Sequence, residues 1–173
     1  MTYPASLFAL LSALLAIAAA SDVARHRISN EVAVAVAVGG ISAQAVVHGT
    51  LAAGTGLAAS VIVAAVIWPA WSRRMIGGGD LKLAAAAAAW VGLERVPTYL
   101  VSAAVVMGAL ACIAYARSSL RARSEMRSNV VALALGANVA GVPLTAERGR
   151  VVVPAGAAFA VSALIALVIG GTP

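Results

Sequence analysis

Two aspartates, Asp80 and Asp22, are the residues of this sequence best suited to catalysis. Asp80 follows three glycines and enters a long apolar segment, and Asp22 closes the first apolar segment of the chain. A carboxylate at membrane depth is unfavourable unless it faces a bundle interior, a partner or water, so both are candidate functional residues. Two carboxylates on a common face can share one proton and activate a water between them. The pair therefore predicts hydrolysis by general acid–base catalysis, with either residue as the base.

The residues beside Asp80 have predicted roles of their own. Gly77, Gly78 and Gly79 lack a Cβ, so the backbone there can adopt unusual dihedral angles and a substrate chain can approach closely. Lys82 lies two positions after Asp80 and would point to a different face of a helix. This placement favours anchoring of a phosphate group by Lys82 over a salt bridge to the aspartates.

A structural alternative exists for both aspartates. Asp80 could cap the helix that follows it, as Asp often does, and Asp22 could be an interfacial acid paired with Arg25. The remaining acids lie in or beside predicted connections and are interpreted as solvated charges: Glu31, Glu94, Glu125 and Glu147.

The composition places the chain in a membrane. Of its 173 residues, 62% are hydrophobic and 10% are charged, whereas about 25% are charged in an ordinary soluble domain. The net charge of +6 follows the pattern of membrane topology, so membrane lipids and not nucleic acid are the expected surroundings. One cysteine and two distant histidines argue against a disulfide or a metal site within the chain, and no cofactor is expected.

The apolar segments predict an all-α fold: a polytopic membrane helix bundle in one domain, residues 1–173, with six transmembrane helices. A full span needs about 20 apolar residues. The stretch 128–142 is short, broken by glycines and closed by a proline, so it is interpreted as interfacial, with a seventh crossing as the alternative. An alanine run at 84–89 predicts close helix packing. The six spans are residues 4–20, 31–47, 51–68, 81–93, 97–116 and 151–169.

Basic residues predict the orientation of these spans. Cytoplasmic connections are enriched in Lys and Arg, so Arg25, Arg73 and Arg121 indicate the cytoplasmic side and Gly49 an external connection. Six spans then put both termini outside and both aspartates on the cytoplasmic side, with Arg95 as the only basic residue outside. The first segment is not interpreted as a cleaved signal, because no basic residue precedes it.

Three motifs give the sequence a family resemblance. They are Ser21-Asp22 with Arg25-His26-Arg27-Ile28-Ser29-Asn30, then Gly77-Gly78-Gly79-Asp80-Leu81-Lys82-Leu83, and last Val153-Pro154-Ala155-Gly156. In this order along nearly the whole chain, they resemble the type IV prepilin peptidases, which are GxGD-type intramembrane aspartic proteases. The similarity is closest to the short form associated with Flp/Tad pilus systems.

The resemblance implies an endopeptidase of the inner membrane that removes the basic leader of prepilins or pseudopilins at the cytoplasmic face. Asp22 and Asp80 match its catalytic positions. Two positions depart from the family pattern: Ser29 stands where proline is usual, and Ala155 where an aromatic residue is common. The residues that match substrate-binding or active-site loops are Arg27, Asn30, Gly77, Gly78, Gly79, Lys82, Pro154 and Gly156.

Other activities stay open at this point. The resemblance does not include the domain with paired Cys-x-x-Cys motifs found in bifunctional forms, so N-methylation of the product is not expected. A non-catalytic membrane subunit of a pilus or secretion assembly is one alternative. A small proton-coupled transporter is another, although such proteins have a repeated architecture and the two halves of this chain show no correspondence.

Overall fold

The computed structural model describes residues 3–25, 29–73, 75–120, 123–124, 127–128, 130–131 and 155–169. Every regular element with described bounds is helical, and no strand occurs in these ranges, which confirms the all-α prediction. A 3₁₀ turn, Leu93–Arg95, precedes the fifth helix. The helices are α1 (Ala5–Arg25), α2 (Asn30–His48), α3 (Thr50–Ser72), α4 (Gly78–Val91), α5 (Val96–Arg117) and α6 (Ala155–Ile169).

The bounds of α3 and α4 differ from the prediction for identifiable reasons. Helix α3 passes Pro69 and ends at Ser72, where the proline carbonyl accepts hydrogen bonds from the Ser72 hydroxyl at 3.0 Å and the Arg73 N–H at 3.3 Å. Helix α4 begins inside the glycine run and stops at Val91, because Gly92 has a φ of 75° that leaves the helical region.

Helix α4 is the centre of the first of two compact units, which holds residues 1–106 and 154–173. It packs against α2, α3 and α6. The alanine run is used for close packing, as predicted. A Cβ added at Gly40 of α2 would lie 2.8 Å from the Cβ of Ala89, and one added at Gly56 of α3 would lie 2.8 Å from the Ala89 carbonyl oxygen. Small residues thus let these helices approach one another closely.

Trp90 fixes the C-terminal end of α4. Its side chain is fully buried, and its Nε1 donates to the Val36 carbonyl at 2.7 Å. The Trp90 carbonyl accepts from the Tyr3 hydroxyl at 2.7 Å and from Gln44 Nε2 at 3.2 Å. Burial raises the pKa of Tyr3 to about 12, an effect that Arg95 partly offsets, so this hydroxyl remains a donor at neutral pH.

The second unit, residues 107–153, contains the end of α5. There Arg123 donates from Nε to the Tyr115 carbonyl at 3.1 Å and from Nη2 to the Ala116 carbonyl at 2.7 Å. Arg123 thus adds to the capping of this helix end, where the Tyr115 carbonyl also accepts from the Ser118 N–H at 3.2 Å and from the Ser118 hydroxyl at 2.8 Å. Residues 132–150 lie outside the described residues, and with them most of the stretch predicted to be interfacial.

Within the described ranges, three helical segments are long and apolar enough to cross a membrane: Asn30–His48, Thr50–Ser72 and Leu93–Arg117. Two apolar helices are shorter, Ala5–Ala18 and Ala155–Ile169. Helix α4 has 14 residues and therefore extends about 21 Å, less than the roughly 30 Å of hydrocarbon in a bilayer. The molecule thus has the helices of a membrane protein, and six crossings stay a prediction.

Candidate active site

The start of α4 carries the glycine run and Asp80. Gly77 is the N-cap residue, with an extended backbone of φ −68° and ψ 148°, and its carbonyl accepts from the Leu81 N–H at 3.2 Å. Asp80 is therefore the third residue of the helix. Gly77, and not Asp80, occupies the N-cap position, and a structural role for Asp80 in capping from the first turn of the helix stays an alternative. As an acid in the first turn, Asp80 still interacts favourably with the helix dipole, by about 0.3–1 kcal/mol.

Gly77 leaves room for the carboxylate of Asp80. A Cβ added at Gly77 would lie 3.0 Å from Oδ2 of Asp80, closer than an ordinary van der Waals contact. The backbone angles of Gly77 are open to any residue, so the glycine provides space and not an unusual dihedral angle, contrary to that part of the sequence prediction. Asp80 itself is half-buried.

Trp71, at the end of α3, lies against Gly78, the second residue of the glycine run. A Cβ added at Gly78 would lie 3.2 Å from the Trp71 Nε1. The Trp71 ring packs in turn on Trp68, with centroids 4.6 Å apart, and the two side chains are 36% and 54% exposed. Trp71 is not among the site residues predicted from the sequence. Its position only a few residues before the glycine run is the signal that would have indicated it.

Lys82 contacts the start of α2. Its Nζ donates to Oδ1 of Asn30 at 2.8 Å, and Asn30 is the first residue of that helix. Two residues that the family resemblance assigned to the site are thus brought together. The partner of Lys82 here is an amide oxygen, so phosphate anchoring stays a prediction.

Ser29, which stands at the usual proline position, caps α2. Its hydroxyl oxygen accepts from the Val32 N–H at 3.3 Å. Proline favours a helix start through its fixed φ, whereas serine satisfies one of the free N–H groups of the first turn. The departure from the family pattern therefore keeps a defined helix start immediately before Asn30.

Asp22 lies in the last turn of α1. Tyr3 lies two residues before the start of α1, and its hydroxyl donates to the Trp90 carbonyl at the C-terminal end of α4. Helix α1 thus runs from that end of α4 toward the end at which α4 begins, and it packs against α2 and α6. The side chain of Asp22 and the whole of Arg27 lie outside the described residues.

The last motif is described only in part. Pro154 lies outside the described residues, whereas Ala155 and Gly156 are buried in the first turn of α6. Helix α6 packs against α4, the helix that carries Asp80. The small residues at its start are consistent with this packing. Ala155 stands at the position where the family pattern has an aromatic residue.

Gln44 is a further polar residue that sequence reasoning missed. It is buried in α2 and donates to the Trp90 carbonyl, so it belongs to the anchored end of α4. A lone amide within an apolar helix is the signal that would have drawn attention to it. Gln44 therefore stabilises the helix that presents Asp80, and it does so from the opposite end.

The reactive group at the start of α4 is the carboxylate of Asp80, which lies beside the exposed residue Gly77. Among the residues that the structure describes, no group of three or more His, Cys, Asp and Glu side chains could hold a metal ion. Acid–base catalysis by the carboxylate is the reaction class that these groups support.

Comparison with protein families gives one match. The profile of the type IV leader peptidase family matches residues 9–113, about three fifths of the chain. The matched range contains Asp22, the glycine run, Asp80 and Lys82, and it ends before the motif at 153–156. No curated protein and no solved structure matches the chain.

Proposed function

Because the chain belongs to the type IV leader peptidase family, we propose that it is a membrane-embedded aspartic endopeptidase that cleaves the leader of a prepilin or pseudopilin. Its substrate is then of the Flp-like kind, and the catalytic pair is Asp22 and Asp80. The observation that carries the proposal is the setting of Asp80: a half-buried carboxylate in the first turn of a central helix, with space left for it by Gly77.

In the proposed reaction the two aspartates share one proton. The ionised member removes a proton from water while the water oxygen attacks the carbonyl carbon of the scissile peptide bond. The protonated member polarises the carbonyl oxygen and then donates its proton to the leaving amine as the C–N bond breaks. The products are a leader carboxylate and a new amino terminus, and the pair returns to its singly protonated state.

The proposed location of this reaction is the cytoplasmic face of the inner membrane, with both termini outside. Support comes from the basic residues near the ends of α1 and α3 and from the direction of α1 relative to α4. Reporter fusions should give an inside signal at Arg25, Arg73 and Arg121, and an outside signal at Gly49. Opposite signals at Arg25 and Arg73 would contradict a shared catalytic face.

The direct test is leader cleavage in cells that co-express a candidate prepilin. Asp22→Asn and Asp80→Asn should each lower the cleavage rate by about 100- to 10,000-fold, since each removes a proton-transfer group. The double variant should be scarcely worse than either single one, because residues that act as one unit are strongly non-additive.

The matched control for this test is Glu94→Gln, which changes an exposed acid in the 3₁₀ turn at the other end of α4. It should cleave like the wild type. If either single Asn variant keeps substantial cleavage at wild-type protein levels, the peptidase proposal fails. The non-catalytic assembly subunit is then the better hypothesis, and proton-coupled transport is tested separately in vesicles.

A further inference from the structure

The hydrogen bond between Lys82 and Asn30 joins two helices at the end of the molecule where Asp80 lies. The two residues are 52 positions apart in sequence, both are exposed, and the Nζ–Oδ1 distance is 2.8 Å. A bond with a charged donor is stronger than a neutral one, but exposure to solvent limits its contribution to global stability. Its effect is therefore better sought in local geometry than in overall folding.

The place of this bond along the helices supports a positioning role. A close packing contact between α2 and α4 lies further along both helices, where Gly40 meets Ala89 and Trp90. Asn30 is ten residues before Gly40, which corresponds to about 15 Å of helix. The bond thus acts on the start of α2, at a distance from the packing that holds the other end of the pair.

This bond connects α4, the helix that carries Asp80, to α2, the helix that follows the one that carries Asp22. Lys82 is two residues after Asp80 in the same helix, so its bond acts on the part of α4 that presents Asp80. Asn30 begins α2, and a connection of four residues, 26–29, leads back to α1 with Asp22 in its last turn. We propose that Lys82 is a positioning residue that, through its hydrogen bond to Asn30, sets the placement of Asp80 relative to the end of α1.

This inference rests on the proposed peptidase function and adds to it a role for Lys82. The acceptor is a neutral amide, so the bond fixes geometry without forming an ion pair. Displacement of a catalytic group by about 1 Å can lower a rate by about 100-fold. Loss of the bond should therefore appear mainly in kcat, because the carboxylate remains present but is misplaced at the moment of attack.

The test is a double-substitution cycle on leader cleavage by the full chain in detergent. Lys82→Met and Asn30→Leu should each lower kcat by about 10- to 100-fold, with KM changed by less than about threefold. The double variant should match the worse single one. Asn30→Asp keeps an acceptor oxygen for Lys82 and should retain kcat within about threefold of wild type.

The matched control is Arg73→Met, which removes an exposed positive charge at the end of α3 and should cleave like the wild type. Multiplicative losses in the cycle, a wild-type rate for Lys82→Met, or an effect on KM alone would overturn the positioning role. A loss with Asn30→Asp equal to that with Lys82→Met would also overturn it, and would favour direct binding of substrate or phosphate by the ammonium group.

Failure of the peptidase proposal is recognised separately. If the wild-type protein cleaves no leader, or if Asp80→Asn cleaves normally, the proposed function is overturned and the role of Lys82 with it. If the wild type cleaves and the aspartate variants do not, the cycle between Lys82 and Asn30 decides on the positioning role alone.

Discussion

The two ends of α4 are built in opposite ways. At the C-terminal end Trp90 is fully buried, its Nε1 is bonded to Val36, and its carbonyl accepts both Tyr3 and Gln44. At the N-terminal end Asp80 is half-buried and Lys82 is exposed, and a glycine leaves space beside the carboxylate. One short helix is therefore fixed at one end and accessible at the other.

This difference shows how a reactive group can be both exposed and well placed. Functional side chains are held more accurately on a helix than on a loop, provided that the helix itself is held by packing. Buried polar groups that are fully hydrogen-bonded make such an anchor rigid. In this molecule the anchor and the candidate site are separated along one helix, so substitutions at the two ends should affect stability and activity separately.

The largest effect on stability is expected from Trp90→Ala. Loss of a buried tryptophan costs about 3–5 kcal/mol, and the unpaired Val36 carbonyl adds to this loss. Asp80→Asn, by contrast, should lower the free energy of unfolding much less, because Asn keeps the size and shape of the side chain at a half-buried position and leaves no cavity. Thermal unfolding in detergent measures both.

The control for this comparison is Trp90→Phe, which keeps an aromatic ring but loses the N–H donor. Its Tm should lie between those of Trp90→Ala and Asp80→Asn. If Asp80→Asn lowered the Tm as much as Trp90→Ala does, the distinction between an anchored and an accessible end would be wrong.

A smaller loss of stability is expected from Gly92→Ala. Comparison with Gly49→Ala separates its two causes, backbone strain and a steric contact with Gln44. Gly92 and Gly49 have a positive φ, 75° and 92°, with ψ of 162° and 171°, a backbone conformation that costs about 1–3 kcal/mol for a residue with a Cβ. At Gly92 the added Cβ would also lie 2.8 Å from Gln44 Nε2, whereas at Gly49 nothing lies within 4 Å. Gly92→Ala should therefore have the lower Tm of the two. Equal Tm values would show that Gln44 moves aside without a penalty.

At the accessible end, Gly77→Ala should lower activity more than stability. The added Cβ would lie 3.0 Å from Oδ2 of Asp80 and must displace the carboxylate by a few tenths of an ångström. We expect cleavage to fall about tenfold, less than for a displacement of about 1 Å, while the free energy of unfolding changes by less than about 1 kcal/mol, the size of an N-cap exchange.

Two variants make this prediction specific. Gly77→Ser restores a good N-cap residue but keeps the Cβ, so it should recover stability without recovering cleavage. Gly54→Ala in α3 adds a Cβ where nothing lies within 4 Å and should be fully active. Normal cleavage by both Gly77 variants would show that Asp80 does not need the space that the glycine leaves.

The helices were largely predictable from the sequence, and their ends were not. Apolar runs predict both ends of α2 and α5 and the start of α3 to within one residue, because the composition of a membrane helix is a strong signal. The prediction ended α3 at Trp68 and began α4 at Leu81. Proline and glycine disfavour the helix interior, but both are tolerated near helix ends, and the actual bounds depend on hydrogen bonds at Pro69 and Gly77.

The candidate site was predictable as a set of residues and not as a set of contacts. Asp80 and Lys82 were identified from their motif, but neither motif nor periodicity gives the partner of a long side chain such as Lys82. That partner, Asn30, depends on the register between α2 and α4, which is set by packing around Gly40 and Trp90. The role of Gly77 likewise depends on the side-chain conformation of Asp80.

The smallest effect is expected from Tyr3→Phe at the anchored end. The substitution removes one of two donors to the Trp90 carbonyl, but Gln44 still donates to it, so the carbonyl keeps a partner. The expected loss in stability is therefore at the low end of about 0.5–1.5 kcal/mol. Leader cleavage should not change, because the start of α4 is untouched.

The same variant has a pH dependence with a defined sign. Burial raises the pKa of Tyr3 from 10.0 to about 12, so between these values the folded protein holds a proton that the unfolded chain has lost. The contribution of the neutral hydroxyl is thus fully present below about pH 10 and is lost as the pH rises through 12. Thermal unfolding at pH 9 to 11.5 should show the Tm of the wild type falling relative to that of Tyr3→Phe as the pH increases. A wild-type Tm that stayed constant or rose relative to Tyr3→Phe would contradict the burial of Tyr3 against Trp90, and with it the hydrogen-bonded closure of this end of α4.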